Sequence, residues 1–111
     1  MKLWIDDVRP APEGYIGVRS VNEAKLMIEA FDFTFIMTRE LGNNREAENF
    51  RIEVIDIDHD AGEFGPPDYI KVLDWLEETG RNYPIRIHSM NPVGVANMRA
   101  IIQRNDWEEV K

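Results

Sequence analysis

Three short apolar runs in this chain each stop abruptly in a polar cluster: Ile5-Asp6-Asp7-Val8-Arg9-Pro10, Ile57-Asp58-His59-Asp60 and Ile87-His88-Ser89-Met90-Asn91-Pro92. A short apolar run with a polar cap is how a buried parallel strand delivers side chains to the carboxyl edge of its sheet, where open α/β folds bind ligands. Helical periodicity between the runs completes the constraint. Both histidines of the protein lie in the caps.

The first strand is expected over Lys2 to Asp6, followed by a loop containing Pro10, Pro12 and Gly14. Ser20-Val21-Asn22-Glu23 has capping-box spacing, and Ala24, Met27, Ile28 and Phe31 follow at i, i+3, i+4 and i+7, which predicts a helix from Val21 to Phe31. Phe33 to Thr38 is β-branched and aromatic and reads as a strand, and Leu41 to Glu48, with Gly42-Asn43-Asn44, as a loop with a helical turn. Ile52 to Asp58 is the most strand-like segment. Asp56 interrupts its apolar run and must find a partner, reach solvent or sit on an edge.

Pro66, Pro67 and Asp68 introduce a second helix, with Tyr69, Val72, Leu73 and Leu76 on one face and Gly80 as its stop. Ile85 and Ile87 carry a short strand after Pro84. Asn91-Pro92 then caps a helix holding Val95, Met98 and Ile102, and Trp107 to Val110 supplies a last short strand. The order β-α-β-β-α-β-α-β predicts a single α/β domain over residues 1–111, a three-layer sandwich around a mainly parallel five-stranded sheet.

The net charge of −8 argues against binding duplex DNA or an anionic membrane, both of which rely on a positive surface. It leaves room for a nucleotide-sized anion held by one cation, a metal ion or a helix N-terminus. Without cysteine there is neither disulfide nor thiolate metal site, and the first residues lack the apolar stretch of a secretory signal, so a cytoplasmic address is expected.

Asp6 and Asp7 at a strand end suit a hard divalent cation such as Mg²⁺, with Asp58 or Asp60 as a third oxygen ligand, although adjacent acids also mark solvated turns. His59 stands between Asp58 and Asp60, where nearby carboxylates favour its charged form and suit it to acid–base work. His88-Ser89 ends a strand expected beside that of Asp58, so the two imidazoles can face one pocket. Asn91 is explained by helix capping, but the N–H groups behind it can hold phosphate oxygens, and Arg9 can do so through its guanidinium. The H-x-x-x-H spacing of zinc sites is absent, as are glycine-rich phosphate loops and nucleophile elbows. Trp4, Trp75 and Trp107 lie in or beside predicted elements and are expected in the core.

Together the three clusters resemble the cyclic-phosphate processing receiver domain family, whose members carry an I-D-D-x-R-x-x-P start, an L-D-H-D-like centre and an H-S-x-N-P-V-G segment. The chain has Ile5-Asp6-Asp7-Val8-Arg9-Pro10-Ala11-Pro12, Ile57-Asp58-His59-Asp60 and His88-Ser89-Met90-Asn91-Pro92-Val93-Gly94 in that order. The resemblance implies a receiver-like, flavodoxin-type sheet, with Asp6 and Asp7 as the acid pair, Asp58 at the phosphoacceptor position and Ser89 at the hydroxyl position. It implies a metal-assisted phosphoesterase acting on 2′,3′-cyclic phosphate ends of nucleotides or RNA. Asp6, Asp7 and Asp58 would hold Mg²⁺, His59, His88 and Asp58 would act catalytically, and Arg9, Ser89 and Asn91 would hold the phosphate. The alternative is a non-catalytic receiver-like module that binds a phosphorylated ligand or docks a protein partner. The lysine that ordinary receivers place after their last core strand has no counterpart near Trp107 to Val110, which argues against aspartyl-phosphate signalling.

Overall fold

The computed structural model describes residues 1–60 and 68–111. Four short strands, β1 (Lys2–Ile5), β2 (Tyr15–Val18), β3 (Val54–Ile57) and β4 (Ile85–Ile87), form one sheet in the order β2-β1-β3-β4, with every neighbouring pair parallel. The expected fifth strand shrinks to a single parallel bridge between Ile85 and Glu109. Pro66 and Pro67 lie outside the described residues.

The helices are α1 (Val21–Glu40), the short α2 (Asn44–Ala47) with a 3-10 turn at Glu48–Phe50, α3 (Ile70–Glu78) and α4 (Pro92–Arg104). Ser20 caps α1: its hydroxyl accepts from the Glu23 N–H at 3.1 Å, while the Glu23 carboxylate takes the Arg19 N–H, one residue before the cap, rather than the Ser20 N–H that a reciprocal capping box would use. The helix then runs straight through Phe33 to Thr38, the segment expected as a strand. Nothing between Ala24 and Leu41 breaks a helix, and Phe31, Phe35 and Thr38 recur with helical spacing on a half-buried face, so the nucleated helix propagates until Gly42. There the Gly42 N–H bonds Arg39 O and the Asn43 N–H bonds Thr38 O, a Schellman closure that needs the positive φ of Gly42 (81°).

Tyr15–Val18, inside the expected loop, is instead the edge strand β2; with Gly17 near its centre and one neighbour only, it buries Val18 alone. The connection between β1 and β2 contains no helix. The remaining crossovers all step in one direction across the sheet, and right-handed connections put their helices on one face. Accordingly α1 packs on α3 and α3 on α4. Leu3, Ile5, Ile55, Ile57 and Ile85 meet these helices in the core, with Val72, Leu73, Leu76, Met98 and Ile102. The described residues thus form two layers rather than three. The opposite face of the sheet carries Trp4, Asp56 and Arg86, adjacent in register, with the 6–14 loop crossing over it: the Trp4 indole N–H donates to Arg9 O at 3.0 Å.

Candidate functional site

Strand order sets the site. β1 lies between β2 and β3, so its carboxyl end is the switch point where crossovers leave in opposite directions, the usual ligand crevice of an open α/β sheet. The ladder continues one residue past the strands: the N–H groups of Asp6, Asp58 and His88 donate to the carbonyls of Val18, Ile5 and Ile57. Those bonds set Asp6, Asp58 and His88 side by side along the edge.

Asp6 is the hub. Its Oδ1 accepts from the backbone N–H groups of Val8 and Arg9, and its Oδ2 lies 3.0 Å from both Arg9 Nε and His88 Nε2. Burial works against ionisation of Asp6, but the two backbone donors, His88 and the Arg9 guanidinium outweigh it and hold the carboxyl below its ordinary range. The half-exposed Arg9 also reaches Asp58 Oδ2 at 3.3 Å, so one guanidinium spans Asp6 and Asp58. Asp58 Oδ1 accepts from the His59 N–H at 2.8 Å.

His88 is fully committed. Its Nδ1 lies 2.5 Å from Asp56 Oδ1, its Nε2 meets Asp6, and its ring stacks on Trp4 with centroids 3.8 Å apart and planes at 6°. Both ring nitrogens therefore face carboxylate oxygens, Asp56 on one side and Asp6 on the other. Asp56, 1% exposed, takes Arg86 at 2.9 Å as its second partner. The interruption in the β3 apolar run is therefore resolved by Arg86 and His88, which alternate onto the same face of the neighbouring strand.

His59 has a different setting. Its Nδ1 pairs with Asp60 Oδ1 at 2.9 Å, and this imidazole contact, against partial desolvation, lowers the Asp60 pKa. With Nδ1–H donating to Asp60, Nε2 is the ring atom left to accept a proton. The ring lies against Gly94 on the first turn of α4, where a Cβ would stand 2.4 Å from His59 Cγ. Asn91 accepts from the Gly94 N–H through Oδ1 and donates to Asp60 through Nδ2, and Ser89 Oγ accepts from the Asn91 N–H. Ser89 and Asn91 thus organise the start of α4 in this state.

Beneath the acids, the buried Tyr69 hydroxyl donates to Arg19 O at 2.6 Å. Burial and then the charges of Asp7 and Asp6 push its phenol well above the usual range, so it stays neutral. A cleft of about 270 Å³ opens beside Asp6, lined by Trp4, Asp7, Arg9, Gly17 and Arg19. Among the described residues, His59, Asp60 and Asp68 bring one ligand atom each within 4.8 Å of one another.

The edge therefore brings Asp6, Asp58, His88 and Arg9 into direct contact, with Asp7 adjoining, and His59, Ser89 and Asn91 into a second group beside Asp58. Asp56, Arg86, Trp4, Tyr69, Asp68 and Gly94 were not anticipated as site residues. The alternation Arg86-x-His88 opposite Asp56 is the sequence signal that marks the first two.

A parallel α/β sheet with an acid pair after its first strand and a third aspartate after its central strand defines a receiver-like domain. Residues 1–104 match the sequence profile described as the cyclic-phosphate processing receiver domain, and the chain belongs to that family. No curated protein and no solved structure matches it. No helix among the described residues is long and apolar enough to cross a membrane.

Proposed function

We propose that the carboxyl edge hydrolyses a cyclic phosphate, the 2′,3′-cyclic end of a nucleotide or RNA being the substrate class. The observation that carries this reading is the His59–Asp60 pair, an imidazole oriented through Nδ1 on the same edge as a half-exposed guanidinium, in a chain of this family. His59 Nε2 takes a proton from the attacking water, the bond from phosphorus to one ribose oxygen breaks, and the imidazolium returns the proton to that oxygen. General acid–base work of this kind contributes roughly 10²–10⁴ in rate. Arg9, Ser89 and the Val93 N–H at the start of α4 hold the phosphoryl oxygens. His88 is a positioning residue that fixes Asp6.

The donor set Asp6, Asp7 and Asp58 suits a hard divalent ion, with the condition that Arg9 leaves the space between Asp6 and Asp58. Bound there, such an ion would supply Lewis-acid stabilisation of phosphoryl charge. A second reading, a non-catalytic module that binds phosphorylated ligands, is favoured by the engagement of Arg9 and His88 with acids. Incubation with 2′,3′-cyclic nucleotides and cyclic-phosphate RNA, followed by ³¹P spectroscopy with and without divalent metals, separates the two. Opening to a monoester that His59→Ala abolishes is expected. Binding without turnover under every metal condition would leave the module reading.

A further inference from the structure

Helix α1 carries two apolar seams on opposite sides. Val21, Ala24 and Ile28 face the core. Leu26, Ala30, Phe33 and Met37 follow one another at spacings of four, three and four on the far side, and Leu41 continues the line past the helix end. Leu26, Phe33 and Leu41 are 69%, 66% and 82% exposed, and Ile36 and Met37 are also exposed. At ~1.5 Å per residue the 20-residue helix runs about 30 Å, more than twice the length of a four-residue strand, so its second half projects past the sheet. Five large apolar side chains so placed present on the order of 500 Å² of apolar surface, near the upper end for a monomer and characteristic of a binding face. No core requirement explains the seam.

Charge selects the occupant. Glu29 and Glu40 border the seam on the helix surface, and Glu23 stands at its start. The helix's own cations are turned elsewhere: Lys25 lies over the Trp75 ring and Arg39 over Phe35. A second copy would bring the same acidic border against itself, in a chain of net charge −8. We infer that the outer face of α1 docks a basic amphipathic helix of another protein, its apolar residues at i, i+3/i+4 and i+7 meeting Leu26, Phe33 and Met37 and its lysines or arginines meeting Glu29 and Glu40. The surface is independent of the phosphate site.

The test uses an 18-residue peptide with leucines at helical spacing and lysines elsewhere, and a control with the same leucines and glutamates, titrated by calorimetry against the full chain. The lysine peptide should bind with micromolar affinity that weakens at 0.5 M NaCl. Phe33→Ser/Met37→Ser and Glu29→Lys/Glu40→Lys should each weaken binding at least tenfold with unchanged helix content by circular dichroism, and amide shifts should map to residues 26–41. Equal binding of both peptides, or of the lysine peptide to all variants, would overturn the inference. So would a dimer in sedimentation that the Phe33→Ser/Met37→Ser protein loses, since that would make a second copy the occupant.

Discussion

Replacing Asp56 by alanine tests the polar layer on which the site is built. The Asp56 carboxylate has two partners: His88 Nδ1 at 2.5 Å and the Arg86 guanidinium at 2.9 Å. Each hydrogen bond to a charged group contributes about 1.5–3 kcal/mol, and breaking one side of a buried pair costs about 3–5 kcal/mol because the remaining charge is stranded. The Arg86 side chain is 44% exposed and recovers solvation, which places the loss at the lower end, about 3 kcal/mol. In a domain of this size that lowers the thermal midpoint by roughly 12–24 °C. Urea melts of Asp56→Ala, His88→Ala and the double variant close a cycle whose coupling should be at least ~1.5 kcal/mol, since either single change already removes the shared contact. A cost below about 1 kcal/mol for Asp56→Ala, or an additive cycle, would refute the network.

Asp6 titrates below its ordinary 3.8 when folded, so its stabilisation is present above that value and is lost as pH falls through the folded pKa; urea melts from pH 5 downward should show the loss and Asp6→Asn should flatten it. Glu109, held at about 2 chiefly by Arg99, adds a second acid-labile contact in the same direction, lost between about 4.5 and 2. Gly94→Ala, which inside a helix would ordinarily stabilise, should destabilise by roughly 1–3 kcal/mol and shift the His59 ring resonances in NMR spectra, because its Cβ would overlap that ring. Arg9→Ala should weaken inorganic phosphate binding about tenfold or more while strengthening Mg²⁺ or Mn²⁺ binding, both followed by the fluorescence of Trp4, whose indole N–H bonds Arg9 O.

The strand-end clusters were legible because chemistry and connectivity coincide there: apolar residues stop where the sheet stops, and the polar residues beyond are the ones the edge presents. The helix cap at Ser20 and the glycine stop at Gly80 were legible for the same local reason. Phe33 to Thr38 misled because β-branched and aromatic residues are only a weak bias against helix, and the deciding fact, uninterrupted propagation from Ala24 to Gly42, is cooperative rather than local. β2 was hidden because an edge strand needs few buried side chains. The fifth strand failed to extend because Trp107 turns inward and Glu109 is drawn to Arg99, leaving one bridge. The partition of the two histidines, His88 between two acids and His59 beside one, depends on which faces Asp56 and Arg86 share. That is a tertiary property.

On the proposed function, a cyclic phosphate is held and opened at the carboxyl edge of β1, β3 and β4. A crystal structure with a slowly reacting 2′,3′-cyclic phosphorothioate nucleotide would show that placement. The phosphorus should lie between the Arg9 guanidinium and His59 Nε2, with an attacking water within about 3–3.5 Å of it. A phosphorus bound away from both residues, or at Arg9 with His59 turned aside, would contradict it.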